Sequence, residues 1–210
     1  MVSLGVGWAG SMLHCFGGVL PASQETFDIM HDEAQHLSRL VDDLRTLSLA
    51  DAGELPLTFQ RLDVRALLER VMAAHLPEAQ QQGVSIQVET SPDLPVVEAD
   101  PGRMAQVLEN LVSNALCYTS QGGRISLSGE ADAGAVKLRV QDNGVGIDPE
   151  DLPFVFDRFY RADESRQRNG TESGLGLAIA KSIVEAHGGS ISVESILGQE
   201  TTFTITLPAA

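Results

Sequence analysis

Cysteine is scarce in this chain of 210 residues: Cys15 and Cys117 are the only two. Two distant thiols build no disulfide framework, and neither sits in a run with metal-ligand spacing, so a disulfide scaffold is excluded and a reducing compartment is favoured. Positive charge is also in short supply. Against 29 Asp and Glu there are 14 Lys and Arg, a formal charge of −15, and that balance argues against a nucleic-acid partner, whose phosphates would be repelled. No cationic start with a cleavage site marks a signal peptide. Residues 2–20 lack Asp, Glu, Lys and Arg and are about long enough to span a bilayer. They carry five glycines and a histidine, however, and have no basic flanks, so the stretch reads as a remnant of a bundle helix. What is present is ordinary for a folded protein. The hydrophobic fraction is 43% and the mean hydropathy +0.01, in a length that holds one good-sized domain plus a smaller element.

Three short motifs stand out, in this order. Asn110-Leu111-Val112-Ser113-Asn114-Ala115 places two amides four residues apart, on one face if helical. Asp142-Asn143-Gly144-Val145-Gly146-Ile147 puts a carboxylate on a glycine turn after a strand-like run. Ser173-Gly174-Leu175-Gly176-Leu177-Ala178 is a glycine turn opening a helical run. The residue types suit a nucleotide. Asp142 can accept a hydrogen bond from an exocyclic amine, which adenine has where guanine has none, and a base without that donor leaves the carboxylate unpaired. Gly144 and Gly146 permit backbone angles closed to other residues and let a flat base lie close. A neutral amide at Asn110 or Asn114 can complete an Mg2+ shell made mostly of water and phosphate oxygens. Gly174 and Gly176 leave free N–H groups and a positive helix end for phosphates. Each motif alone has a plainer reading: Asp-Asn-Gly as a turn, paired asparagines as solvated side chains, Ser-Gly as a helix start. Their order and number favour a pocket. Arg158, Arg161, Arg166 and Arg168, four of the 14 basic residues, read as a phosphate-facing island or as a solvated loop.

On these motifs the chain resembles the histidine-kinase branch of the Bergerat-fold ATPases, over residues 20–208. Residues 106–119 are similar to that family's asparagine box and residues 142–147 to its first glycine box. Phe156-Asp157-Arg158-Phe159-Tyr160-Arg161 is similar to its phenylalanine box and Gly174-Leu175-Gly176-Leu177 to its second glycine box. Ala186-His187-Gly188-Gly189 and the closing run 201–208 also match. The resemblance implies ATP and Mg2+ as ligands, with Asp142 on the adenine amine, Asn114 on Mg2+, and Asn110, Tyr118 and Arg161 along the triphosphate. It implies a response-regulator receiver domain as partner, and a cytoplasmic place, alone or as the cytoplasmic part of a membrane-bound sensor. Departures accompany it. No His-Glu-Leu-Arg-Thr-Pro acceptor box occurs around His14, His31, His36, His75 or His187. Cys117 stands where the family usually has lysine, Glu172 where a glycine is common, and Glu200 where glycine is usual.

Along the chain, residues 24 to about 50 predict one long helix, because Phe27, Met30, Ala34, Leu37, Val41 and Leu44 repeat in steps of three and four. Leu40 and Leu47 widen that stripe as a four-helix bundle requires; packing on the chain's own sheet is the other reading. Residues 3–16 suit a shortened partner helix before the break at 17–21. The expected domains are a truncated dimerisation hairpin over 1–52 and an ATP-binding catalytic domain over 56–210. In the second we expect strands near 57–62, 84–89, 96–98, 123–128, 136–141, 190–195 and 201–207. Helices are expected over 64–82, from Asp100-Pro101 onward, and over 174–187, with a charged lid at 163–171. This is an α+β sandwich of Bergerat type: a mixed sheet covered on one face by three helices and preceded by a helical hairpin. The expected function is transfer of the ATP γ-phosphoryl group to a histidine, in trans because the acceptor box is absent, with a homodimer or a heterodimer with a full-length kinase formed through the hairpin. Two rivals remain: an ATP-binding regulator without catalysis, and a dimerising interaction module.

Overall fold

The structure, a computed structural model, describes residues 24–91, 94–132, 134–161 and 173–209. The expected partner helix at 3–16, the break at 17–21 and the lid at 163–171 lie outside the described residues, as do His14, Cys15, Arg166, Arg168 and Glu172. Two compact units divide between Asp42 and Asp43.

Helix α1 (Gln24–Asp51) begins in the first unit and ends in the second. The apolar seam found by periodicity is exposed in this single chain: Phe27, Met30, Leu37, Val41 and Leu44 are about half accessible. Leu47, counted as widening that stripe, is instead buried at 2% together with Thr46. The last turns therefore pack within the second unit, and the outward stripe narrows. Gly53 in the left-handed region (φ 70°) lets Gly53 N donate to Ala50 O and Glu54 N to Leu49 O, which closes the helix.

In the second unit β1 (Gln60–Leu62) pairs antiparallel with β3 (Val97–Ala99) in a small sheet of its own. The strand expected over 57–62 is thus half as long. Thr58 is diverted because its N–H donates to the Asp100 carboxylate at 2.8 Å. Helix α2 (Val64–Gln82) starts at Asp63, which accepts from Ala66 N, and stops at Gly83 (φ 69°). Helix α3 (Pro101–Tyr118) starts at Asp100, which accepts from Gly102 N and Arg103 N, with proline at the first helical position. Helix α4 (Gly176–Ala186) follows the second glycine turn.

The main sheet holds β2 (Ser85–Thr90), β4 (Arg124–Asp132), β5 (Ala135–Asp142), β6 (Ser190–Ile196) and β7 (Glu200–Pro208) in the order β2-β4-β5-β7-β6. Only β2–β4 is parallel. Strands β4 and β5 run further than expected, to Asp132 and from Ala135, because the polar residues read as a turn continue the ladder as Glu130↔Lys137 and Asp132↔Ala135. Alternation then sorts the faces. Val88, Leu127, Val140, Phe203 and Val193 form one inward row through register, while Ser126, Arg139, Gln141, Thr202 and Thr204 stand on the polar side. Helices α2, α3 and α4 cover the apolar face with Leu68, Leu108, Leu111, Ile179 and Ile183, all fully buried. The expected mixed sheet under three helices is what is observed.

Candidate functional site

Asp142 is the last residue of β5 and belongs to an inward row, opposite Ile125 on β4 and Thr201 on β7. A polar residue has been put where the alternation calls for an apolar one, and it is 4% exposed. Its Oδ1 accepts from Gly144 N at 2.9 Å; Oδ2 has no partner among the described residues. Burial pushes the carboxyl up from 3.8 to about 6; the Gly144 N–H opposes this and the negative charge of Glu200 adds to it.

The glycine turn behind it is held from three sides. Val145 N donates to Tyr118 O at 3.3 Å and Gly198 N to Val145 O at 2.7 Å, while Ile147 N donates to Ser195 Oγ at 2.9 Å. A Cβ on Gly144 would collide with Tyr118 O and lie 2.8 Å from Asp142 Oδ1. One on Gly146 (φ 70°) would run into the Ile196 carbonyl. These two glycines are required by close backbone approach as well as by φ.

The second glycine turn meets the asparagine helix. Asn110 Nδ2 donates to Gly176 O at 3.0 Å, and Gly176 opens α4 after Leu175, which is fully buried. Gly174 is left-handed at φ 68°. Helix α3 therefore touches the second glycine turn at Asn110 and the first at Tyr118, about 12 Å further along at 1.5 Å per residue. Half-buried Asn114 lies midway between them, and no described residue bonds its amide. Two glycine turns and a buried carboxylate are brought to one helix face, an arrangement suited to an extended ligand with an amine at one end and anions at the other.

Arg161 is half-buried at the last described position before 162. Arg158 departs from the sequence reading: its guanidinium pairs with Asp51 and does not belong to a phosphate-facing island. Glu200 projects on the polar face, accepting from Gln141 Nε2 at 3.1 Å. His187 is structural: Nδ1 donates to Ile183 O at 2.8 Å and Nε2 accepts from Asp100 N at 3.0 Å. Sequence reasoning missed Thr201 and Ser195. Thr201 is 5% exposed, directly across from Asp142, and its hydroxyl lies 3.0 Å from Ser195 Oγ. The signal lay in strand register, which pairs residues far apart in sequence.

Comparison with known proteins follows the same outline. The family model described as histidine kinase-, DNA gyrase B-, and HSP90-like ATPase matches residues 99–210. Sensor protein SrrB of Staphylococcus aureus is 39% identical over 185 residues, covering 88% of this chain and 32% of that protein, so the chain spans about a third of the length of the curated relatives it matches. The histidine kinase AdeS of Acinetobacter baumannii superposes with a TM-score of 0.80 at 28% identity, over 96% of this chain and 92% of that one. Histidine kinase ThkA in complex with the response regulator protein TrrA superposes with a TM-score of 0.73 at 26% identity, over 96% and 56%.

Proposed function

Because this chain belongs to the histidine kinase-, DNA gyrase B-, and HSP90-like ATPase family, we propose that it is the ATP-binding catalytic module of a sensor histidine kinase. It delivers the γ-phosphoryl group of ATP to a histidine, from which an aspartate on a response-regulator receiver domain takes it. The observation that carries this reading is the buried Asp142 carboxylate, with one oxygen on Gly144 N and the other without a partner among the described residues.

In this reading Asp142 selects adenine, and Gly144 and Gly146 admit the base. Asn110, Tyr118 and Arg161 line the triphosphate, and Gly174, Leu175 and Gly176 present the N-terminal end of α4 to it. Asn114 contributes one oxygen to Mg2+. Among the described residues no group of three His, Cys, Asp or Glu side chains could hold a metal, so the ion would be bound chiefly by phosphate oxygens and water, as Mg2+ usually is. It would neutralise phosphate charge, while the protein's own contribution is orientation of the γ-phosphate toward an imidazole nitrogen.

The acceptor histidine comes from outside these 210 residues, since none of the five histidines lies in an acceptor box. Among the described histidines, His31 is exposed on α1, 2.8 Å from Gln35 Nε2, and His187 is committed to backbone partners. The exposed seam of α1 is the proposed contact for a second copy or a full-length kinase. Resemblance to sensor proteins supports a cytoplasmic place; no helix among the described residues is long and apolar enough to cross a membrane. Incubation with labelled ATP and Mg2+, with and without a full-length kinase dimer, tests the reading. Acid-labile phosphate on the kinase histidine that depends on Asp142 supports it. ATP binding without transfer would leave a regulatory module instead, the reading that Cys117 and Glu200 favour.

A further inference from the structure

The long helix ends on the wrong charge. Asp51 is the last residue of α1, and no basic residue lies in its last turn, although the carboxyl end of a helix favours a cation. The cation comes from 107 residues away: Arg158 Nη2 donates to Asp51 Oδ1. Arg158 precedes Phe159, the one described non-glycine residue with positive φ, at 61°. That conformation is strained for a bulky side chain and persists only where neighbours enforce it. Phe159 N donates to Gly174 O at 2.9 Å, and a Cβ on Gly174 would come within 3.0 Å of Phe159 Cα and C. Beyond Gly174 comes Gly176, whose carbonyl accepts from Asn110. A continuous series of contacts thus runs from the end of α1 to the second glycine turn. The inner side of the phenylalanine turn is fixed: Phe156 sits edge-on to Phe203 at 6.1 Å and under Lys181 Nζ at 5.9 Å, and Tyr160 OH donates to Asp151 at 2.6 Å. Its outer side is held by Arg158.

We infer that Asp51 and Arg158 form a positioning latch, through which the end of the long helix sets the second glycine turn for the phosphates of ATP. The inference rests on the ATP-binding reading and adds to it a residue pair that touches no nucleotide. Both side chains are about half exposed, 46% and 54%, and such a pair contributes little to global stability. A positioning role is therefore separable from a structural one. Asp51→Asn and Arg158→Gln should melt within about 3 °C of the wild type yet bind MgATP about two- to fivefold more weakly at low salt. The double variant should be no weaker than either single one. The exchanged pair Asp51→Arg with Arg158→Asp should recover most of the affinity, and all differences should shrink in high salt. Coupling is reciprocal, so MgATP should slow amide exchange over residues 52–59 in the wild type and not in Arg158→Gln. Calorimetry with MgATP and exchange on the full chain decide the matter. Unchanged affinity in both single variants, or additive losses without recovery in the exchanged pair, overturns the latch alone. A wild type that fails to bind MgATP overturns the nucleotide reading and the latch with it.

Discussion

At the scale of the residue, Asp142 is poised against the fold that carries it. Its carboxyl is displaced upward from 3.8 to about 6, first by burial, so ionising it is harder in the folded chain than in the unfolded one. For the nucleotide-free protein this contribution leaves stability full below pH about 4. Stability then falls by roughly 3 kcal/mol as pH rises to about 6, and stays there. Asp142→Asn should accordingly stabilise the empty chain at pH 8 by about 1–3 kcal/mol in urea melts, while weakening ATP binding at least about tenfold. Equal ATP affinity of the two proteins would remove Asp142 from the pocket. In the proposed ATP-binding role an ionised Asp142 is the stronger acceptor for the adenine amine, so wild-type affinity should drop up to about tenfold between pH 7 and pH 5, with proton release on binding. Cys117 offers a second test. It is half-buried on α3, and a thiol supplies phosphate with neither a charge nor three ammonium donors. Cys117→Lys should tighten ATP binding, more at low than at high ionic strength; no gain at any salt would show that the position faces elsewhere.

At the scale of the element, the first glycine turn depends on the β6–β7 hairpin as much as on its own sequence. Gly198 N on Val145 O and Ser195 Oγ on Ile147 N hold it, and Gly146 lies against the Ile196 carbonyl. Gly146→Ala combines a strained φ with that collision and should lower stability by about 1–3 kcal/mol, with ATP binding lost alongside; a variant as stable as the wild type would contradict the contact. The α1 seam is the other element with an open consequence. Phe27, Met30, Leu37, Val41 and Leu44 are exposed at 48–64%, and contiguous exposed apolar side chains of this kind mark an interaction surface. Leu37→Glu with Val41→Glu should reduce any dimer to monomer in sedimentation experiments while leaving the melting of the ATPase unit intact.

At the scale of the whole molecule, the expected outcome is ATP binding without robust self-phosphorylation. In-line transfer needs an imidazole at a defined place beside a general base. His31 meets Gln35 on an exposed helix face and His187 is locked between Ile183 and Asp100. Acid-labile phosphate on the purified wild type that disappears in His31→Ala would make His31 the acceptor and refute this.

Much of this was legible in the chain itself. Asp100-Pro101 acts through neighbours within three residues, so capping chemistry marked the start of α3 correctly. The inward alternation of β5 and β7 likewise comes from the period-two geometry of strands. The two glycine turns announced themselves because φ and close approach restrict residue type locally. Tertiary structure decided what depends on partners distant in sequence. Register placed Thr201 opposite Asp142 and buried the carboxylate that the sequence reading puts on a glycine turn of a pocket. The Asp100 carboxylate took the N–H of Thr58 and shortened β1, and the packing of the second unit withdrew Leu47 from the apolar stripe of α1. Arg158 was assigned to phosphate by its neighbours in sequence and given to Asp51 by the fold, because a charged side chain pairs with whatever opposite charge the folded chain brings within reach.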